Sequence, residues 1–354
     1  MYNFPMITLQ VQSRKEVGKA FFPFGIPRLW CPPLTHYRQN GSLDTERIGA
    51  HLKYLKEYVK TYLLFGSTSD GWELSEQDMA ELLDFLIFQA TKLEIRLLIG
   101  VLKTDADLAR RKIVQIVGTL KEKCGTSDPE QAFSESRICG FAVCAPKGKH
   151  LTPAYIRQKL FEILDLGYPT TLYQLPQVTE NEIDTETFAF LADGFPNFYL
   201  FKDASGTDTI IRSKIDRRGI FMMRGSEGDY HKWYPAEPGG LYDGFLLSSA
   251  NCFAPQLNQI IELKEQKKNE EAELLSIKIS RVIRDGLSWA QKIPFGNSYA
   301  NLNKAFDHFF AYGKAAFHFP PPMTYSGNSL PEEFLLYVGD LLEDEDLKPL
   351  EGYL

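Results

Sequence analysis

The chain has 354 residues, with 39 Lys and Arg against 46 Asp and Glu, and its formal net charge is −7. Hydrophobic residues make up 44% and charged residues 24%. This composition excludes a mainly disordered chain, because so much apolar surface can bury a large core. The acidic balance excludes a general nucleic-acid binder, which needs a basic surface to contact phosphates.

The cysteines and the N-terminal sequence predict a cytoplasmic protein. The five cysteines form no CxxC pair, which fits neither a zinc site nor a set of disulfides. We therefore expect free, buried thiols in a reducing compartment. The first residues lack the apolar core of a secretory signal. The chain also has no run of about 18 apolar residues, the length that a membrane-spanning helix needs. Neither a nucleic acid nor a membrane is expected as a partner.

Short apolar runs alternate with amphipathic stretches along most of the chain. After an opening strand near 28–34, the run at 62–66 predicts a strand, and the spacing of apolar residues over 74–92 predicts a helix. Ser75, with an acidic residue three positions later, is typical of a helix start. The pattern then repeats, with strands predicted at 96–101, 137–144, 170–174, 198–202, 219–223 and 244–248, and helices at 105–120, 153–166, 185–193 and after Gly206.

Eight such strand–helix units predict a (β/α)₈ TIM barrel. Strands that alternate with helices run parallel, and nearly continuous apolar strands are buried on both faces. A doubly wound open sheet is the alternative, since periodicity alone does not exclude it. The predicted organisation is an N-terminal lead (1–24), a barrel (25–262) with a polar surface insertion near 121–136, and a helical C-terminal extension (263–354) with a break near Asn269.

Two candidate catalytic side chains close predicted strands, where barrel enzymes place their chemistry. Lys202 ends the apolar run 198–202, and desolvation lowers the pKa of a lysine, whose neutral amine can form a Schiff base. The alternative is a lysine that extends to the rim and pairs with Asp203. Tyr173 lies at the end of the run 170–174, just before Gln174. Its phenol could transfer a proton, or it could simply be a packed tyrosine with a bonded hydroxyl.

Other polar segments give weaker signals. The Gly66–Gly71 loop offers hydroxyls and backbone amides that suit a small anion, although a plain turn is the alternative. The basic segment 147–150 could meet an anionic substrate or be a solvated loop; we expect Lys147 to be hydrated, in a flexible loop, and to form no imine. The six histidines are scattered without HxH or HExxH, and no GxGxxG occurs. We therefore predict neither a metal nor a bound cofactor.

Four motifs in order resemble the dihydrodipicolinate synthase/N-acetylneuraminate lyase family: GSTSD at 66–70, LYQLP at 172–176, FKDASG at 201–206 and GFLLSSAN at 244–251. This resemblance covers about residues 26–265. It implies a (β/α)₈ barrel with a C-terminal helical segment, assembled as a homotetramer or homodimer, that acts on 2-oxo acids. It also implies that Lys202 is the Schiff-base lysine, that Tyr173 is the general acid/base, and that Ser67 and Thr68 bind the substrate carboxylate.

Some positions depart from the family pattern. The loop that is usually Gly-x-x-Gly-Glu ends here in Ser69 and Asp70, and Ser69 should restrict the backbone there. Gln174 replaces the asparagine that usually follows the tyrosine. Asp70 still keeps the negative charge of the loop, and Tyr173 is still present.

Further departures argue against dihydrodipicolinate synthesis itself. Lys147 and Gly148 stand where many members carry two tyrosines, and Val178 stands where the synthase carries an arginine. The lyase branch places acidic residues after strand seven and a serine after strand eight to hold sugar hydroxyls, and Glu227 and Ser248 occupy comparable positions. The resemblance is therefore lyase-like.

The leading hypothesis is a Schiff-base aldolase, or lyase, that cleaves or forms a hydroxylated 2-oxo acid with pyruvate as one product. A dehydratase of a sugar-derived 2-oxo acid is the second hypothesis. The third is a binding protein that retains the barrel without turnover, which the altered Gly66–Gly71 loop would allow. The presence of both Lys202 and Tyr173 argues against this third hypothesis.

Overall fold

The computed structural model describes residues 13–234 and 241–354 of the chain. All eight predicted strands are present within these residues, mostly a little shorter than expected. They are β1 (Leu29–Trp30), β2 (Thr61–Leu64), β3 (Arg96–Gly100), β4 (Ile138–Cys144), β5 (Thr170–Gln174), β6 (Phe198–Asp203), β7 (Phe221–Arg224) and β8 (Gly244–Leu246).

Helices follow the strands, and some bounds are set by side-chain caps. Ser75 accepts a hydrogen bond from the Asp78 amide and starts α3 as predicted. Asp105 accepts a hydrogen bond from the Leu108 amide and starts α4. The helices are α1 (Arg14–Phe21), α2 (Thr45–Leu55), α3 (Glu76–Leu93), α4 (Ala106–Cys124), α5 (Pro129–Glu135), α6 (Pro153–Leu164), α7 (Pro176–Thr179), α8 (Thr185–Gly194), α9 (Thr209–Arg212), α10 (Tyr230–Trp233), α11 (Ala250–Glu265), α12 (Asn269–Ala290), α13 (Ser298–Tyr312) and α14 (Glu332–Asp344), with 3₁₀ turns at Ser67–Ser69 and Gly313–His318.

The strands form a (β/α)₈ barrel, which confirms the predicted fold. They are hydrogen-bonded in the order β1-β8-β7-β6-β5-β4-β3-β2, and the pairs from β3 to β8 are parallel. Cys31, just after β1, forms a parallel bridge with Tyr62 of β2, so the sheet closes on itself. An open doubly wound sheet, the alternative interpretation, has two free edges and does not fit this closure.

By backbone contacts the chain divides into two compact units, each with its own core. The first comprises residues 13–28, 96–226 and 241–245 among those described, and it contains β3 to β7 with most of β8. Its core includes Phe141, Phe198 and Phe201, all fully buried. The second comprises residues 29–95, 227–234 and 246–354, with β1, β2 and the C-terminal helices. Residues 1–12 of the predicted N-terminal lead lie outside the described residues.

Residues 121–136 are more ordered than the predicted polar insertion. The segment holds the end of α4 and the whole of α5, which Asp128 caps. Phe133 is 1% exposed and packs edge-on against Phe141, with ring centroids 5.8 Å apart. Pro129 and Ala132 are buried beside Phe133, so three apolar residues within a polar segment make α5 a packed helix.

The helical C-terminal extension is present as predicted. Lys267 adopts a left-handed φ of 62° between α11 and α12, which accounts for the predicted break near Asn269. A Cβ at Gly286 of α12 would lie 2.5 Å from Leu302 of α13, so this glycine allows the two helices to approach closely. No helix among the described residues combines the length and apolar character needed to cross a bilayer.

Candidate functional site

Lys202 and Tyr173 are neighbours on adjacent strands. The parallel register of β5 and β6 pairs Tyr173 directly with Lys202, and partners in such a register project to the same side of the sheet. Both side chains are buried, with exposed fractions of 5% and 4%. The Lys202 Nζ lies 4.0 Å from the centroid of the Tyr173 ring. An amine and a phenol therefore meet in a buried place at the carboxyl ends of two strands.

The same layer of the barrel places small or apolar groups beside Lys202. Register pairs Cys144 of β4 with Tyr173, and Met223 of β7 with Lys202. Burial raises the pKa of the Cys144 thiol to about 12, so this thiol is not a competing nucleophile at neutral pH. A Cβ at Gly225 would lie 2.7 Å from Lys202 Cε. A larger residue at position 225 would therefore displace the end of the lysine chain.

Asp203 belongs to a separate network on the other side of β6, because successive residues of a strand face opposite ways. Its Oδ1 accepts from the Ser205 amide at 2.9 Å and from the Ser205 hydroxyl at 2.6 Å. The Tyr242 hydroxyl donates to Asp208 at 2.6 Å and lies 3.3 Å from Asp203 Oδ2. Burial raises the pKa of Asp203. The alternative in which Asp203 is the main partner of Lys202 is thus disfavoured by strand geometry.

The Gly66–Gly71 loop of the second unit is a tight turn with an unexpected glycine requirement. Ser67 and Thr68 lie in the 3₁₀ turn Ser67–Ser69. The left-handed positions around this turn are Phe65 and Asp70, with φ of 52° and 56°, and do not include Ser69. Serine in place of the family's glycine at position 69 therefore needs no left-handed backbone, and its expected cost in backbone freedom stays a prediction. Gly71 is the constrained residue, because a Cβ there would lie 1.9 Å from the Phe65 carbonyl oxygen.

The two predicted carboxylate-binding residues differ in their surroundings. Thr68 is buried, and Ser67 is half-buried and accepts a hydrogen bond from Trp72 Nε1 at 2.9 Å. Their backbone is fixed by the Thr35 hydroxyl, which donates to the Ser69 carbonyl at 2.9 Å. The turn is thus a rigid support for two hydroxyl groups, as a small-anion site requires.

A buried ion pair, which no sequence pattern predicted, connects this loop to the C-terminal extension. Lys304 of α13 donates to Asp70 Oδ2 at 2.8 Å, and both side chains are 5% exposed or less. The Tyr37 hydroxyl donates to the same oxygen at 2.9 Å. Asp70 and Lys304 are 234 positions apart. No local pattern could have paired them.

Glu227 and Ser248, predicted to hold substrate hydroxyls, contact each other. The Glu227 carboxylate accepts from the Ser248 hydroxyl at 2.6 Å, from the Ser249 amide and hydroxyl at 3.0 and 2.6 Å, and from the Tyr230 hydroxyl at 2.8 Å. Four donors fill the usual acceptor capacity of a carboxylate. The geometry therefore favours Glu227 as the anchor of Ser248 and Ser249 over direct contact with a ligand.

Lys147 is exposed, as predicted, but its loop is held in place. The Lys147 side chain is 46% exposed and lies 3.1 Å from Glu180. The Gly148 amide donates to the Thr179 carbonyl, and Asn181 Nδ2 donates to the Gly148 carbonyl at 3.1 Å. These hydrogen bonds join the loop to the loop after β5, and its expected flexibility stays a prediction.

Three buried groups of metal-ligand type lie together in the second unit, although the sequence shows only scattered histidines. Atoms of His36, His51 and Asp307 all lie within 4.8 Å of one another. His51 Nε2 donates to the Asn251 carbonyl at 2.8 Å, and His51 Nδ1 lies at hydrogen-bond distance from His36 Nε2, 3.2 Å away. Burial lowers the pKa of His36 well below its ordinary value. This pattern is a complete hydrogen-bond chain.

Asp307 is the charged centre of that cluster. It accepts from Arg47 at 2.9 Å and from the Tyr353 hydroxyl at 2.8 Å. Burial alone would raise its pKa, but its neighbours, among them the Arg47 guanidinium, outweigh burial and hold the pKa below its ordinary value. A metal ion would have to share this carboxylate with a cation. The donor set therefore fits a structural network better than a metal site.

Comparisons with known proteins agree with the sequence motifs. Residues 136–298 match the model of the dihydrodipicolinate synthetase family, which confirms the predicted resemblance. A 4-hydroxy-tetrahydrodipicolinate synthase of Chlorobaculum parvum is 22% identical over 277 residues, covering 75% of this chain and 83% of that protein.

Solved structures of similar proteins show the same fold. YagE of E. coli K12, a prophage protein of the dihydrodipicolinic acid synthase family solved with pyruvate, has a TM-score of 0.69 at 17% identity, covering 91% of this chain and all of that one. A variant of the Sulfolobus solfataricus 2-keto-3-deoxygluconate aldolase has a TM-score of 0.64 at 18% identity, covering 90% and 96% of the two chains.

Proposed function

Because the chain carries a dihydrodipicolinate synthetase family domain over residues 136–298, we propose that it is a Schiff-base (class I) aldolase, or lyase. It would cleave or form a hydroxylated 2-oxo acid, with pyruvate as one product. The observation that carries the proposal is the buried contact between Lys202 and Tyr173. The replacement of the family's two tyrosines by Lys147 and Gly148, and of its arginine by Val178, favours lyase chemistry over dihydrodipicolinate synthesis.

The proposed reaction starts at the Lys202 amine. The neutral amine adds to the C2 carbonyl of the 2-oxo acid, and Tyr173 gives its proton to the departing hydroxyl, so that water leaves and a protonated imine remains. The Tyr173 phenolate then takes the proton of the C4 hydroxyl as the C3–C4 bond breaks, and the bonding electrons move into the imine to form an enamine. The aldehyde departs, C3 is protonated, and water releases pyruvate from Lys202. The reverse sequence forms the bond, and no further cofactor takes part.

The substrate carboxylate would bind at the turn that contains Ser67 and Thr68. The turn offers two hydroxyls on a backbone held by Thr35 and by the Asp70–Lys304 pair. A fixed set of donors binds a carboxylate without the entropy cost of ordering a loop. Binding energy gained at the carboxylate can then hold the 2-oxo group in place for attack.

The hydroxylated end of the substrate would meet Ser248. Because the Ser248 hydroxyl donates to Glu227, its oxygen keeps lone pairs that can accept from a substrate hydroxyl. Glu227 would then act through Ser248 and Ser249. This assignment supports a substrate with several hydroxyls, as opposed to a short aldehyde that leaves Ser248 without a partner.

Pyruvate release from a panel of 3-deoxy-2-oxo sugar acids tests the proposal. We expect at least one member to yield pyruvate, Lys202→Ala to abolish the release, and Lys147→Ala to leave it within twofold. Loss of water without pyruvate from the same panel would favour the dehydratase, and no turnover of any member would favour a binding protein. A homotetramer or homodimer and a cytoplasmic location stay predictions, which light scattering and cell fractionation can check.

A further inference from the structure

Trp72 touches the predicted carboxylate-binding turn in a way that the family pattern does not explain. Its indole Nε1 donates to Ser67 Oγ at 2.9 Å. A serine hydroxyl has one hydrogen to donate and two lone pairs, whereas an indole N–H only donates. The bond therefore occupies one lone pair of Ser67. It leaves the Ser67 hydrogen for another acceptor.

The direction of that hydrogen matters because a carboxylate only accepts hydrogen bonds. A freely rotating serine hydroxyl spends part of its time with a lone pair towards the ligand. In that orientation the lone pair and the carboxylate oxygens repel each other. A donor fixed on the far side removes those orientations in advance. Hydrogen bonds in such a chain also strengthen one another, so the indole makes Ser67 a better donor.

The frame around this bond is rigid. Gly71 separates Ser67's turn from Trp72 and is tightly packed against the Phe65 carbonyl, and its amide donates to Gly66 at 3.0 Å. Asp70, two residues before Trp72, is held by Lys304. The indole therefore approaches Ser67 from a backbone that is fixed at both ends of the turn.

We propose that Trp72 is a positioning residue that orients the Ser67 hydroxyl for donation to the carboxylate of the 2-oxo acid. The proposal rests on the proposed function, because it needs Ser67 to contact that carboxylate. In this assignment Trp72 acts through Ser67 and not on a reacting atom. Its effect should appear in the binding of the 2-oxo acid and not in the bond-breaking step.

The test is a double-mutant cycle on Trp72 and Ser67 in the full-length protein. Trp72→Phe keeps an aromatic ring but removes the N–H, and Ser67→Ala removes the hydroxyl. Borohydride trapping is followed over a range of pyruvate concentrations. We expect Trp72→Phe to raise the half-saturating pyruvate concentration about 3- to 10-fold, the worth of one hydrogen bond, with the maximal trapping rate unchanged within twofold.

The cycle separates positioning from packing. If Trp72 acts through the hydroxyl, Trp72→Phe has no further effect on half-saturation once Ser67→Ala is present. If Trp72 only packs the loop, its effect is the same in both backgrounds, and thermal unfolding shifts with it. Trp289→Phe is the matched control, because Trp289 is half-buried and stacks on Phe334 at 4.7 Å in the C-terminal helices.

Each outcome has a distinct meaning. Coupling between the two changes, with Trp289→Phe within twofold of wild type, supports the assignment. Additive effects, or a Trp72→Phe protein that saturates like wild type, overturn it and leave the Schiff-base proposal intact. Failure of the wild-type protein to trap pyruvate at any concentration contradicts the proposed function and overturns this assignment with it.

Discussion

Two buried lysines, in two regions of the molecule, have different surroundings. Lys202 lies near the carboxyl end of β6 beside the ring of Tyr173, with Cys144 and Met223 in the same layer of the barrel. Lys304 lies on α13 and donates directly to the carboxylate of Asp70. A lysine held in an ion pair is suited to hold a loop, whereas one beside a phenol is suited to covalent chemistry. Burial alone therefore does not distinguish the two lysines, whereas their neighbours do.

The comparison predicts that the phenol beside Lys202 takes part in the reaction. Tyr173→Phe should lower the rate of pyruvate release about 10²–10⁴-fold, the usual range for a positioned acid/base. Pyruvate trapping should persist, although more slowly, because the amine remains. Steady-state kinetics on the best sugar acid measures the effect. A variant with wild-type turnover would remove Tyr173 from the mechanism.

For Lys304 the comparison predicts a role in stability. Lys304→Met leaves a buried carboxylate without its cation and should cost about 3–5 kcal/mol of unfolding free energy. Asp70→Leu combined with Lys304→Met should recover much of that loss. The exposed pair of Lys278 and Asp346 is the control, since Lys278→Met should cost about 1 kcal/mol or less. Denaturant unfolding measures all three, and a stable Lys304→Met protein would contradict the ion-pair account.

The contacts of Glu227 predict an intermediate effect. Glu227→Gln loses the charge that accepts four hydrogen bonds, and it should cost about 1–3 kcal/mol of stability. Turnover should fall through a higher KM, because Ser248 is no longer fixed. Thermal unfolding together with KM and kcat tests this. If KM rises with unchanged stability, Glu227 is a direct ligand of the substrate and not an anchor for Ser248.

The smallest expected effect is a pH dependence in the second unit. Burial lowers the pKa of His308 to about 4 from the ordinary 6.5, and the pKa of His36 also falls. The unfolded chain then binds protons more readily than the folded chain. The contribution of these histidines to the free energy of unfolding is therefore fully present above pH 6.5 and is lost as the pH falls towards 4. His308→Gln should reduce the loss between pH 7 and pH 5 by about 1–2 kcal/mol. Unfolding curves across this range measure the effect. A His308→Gln protein whose stability changes with pH as steeply as that of wild type would contradict the assignment.

Strand order and the reactive pair could be predicted from sequence because both depend on local patterns. Apolar runs mark the strands, and a parallel register brings Lys202 and Tyr173 together because each lies near the carboxyl end of its strand. The predicted barrel is confirmed, and so is the family resemblance. The roles of the individual site residues stay predictions.

The remaining features depend on contacts between distant parts of the chain. Asp70 meets Lys304 and His36 meets Asp307 only after the C-terminal helices have packed. The packing of Phe133 was not predicted either, because a few apolar side chains among polar residues give no periodic signal. Sequence patterns report which face of an element is buried, and they do not report which polar groups become partners.

Borohydride trapping with pyruvate, followed by peptide mass spectrometry, tests the central claim most directly. The proposal predicts one modified lysine, Lys202, with no label on Lys304 or Lys147 and no trapping in Lys202→Ala protein that remains folded. A label on either of the other lysines, or undiminished trapping in that variant, would contradict it.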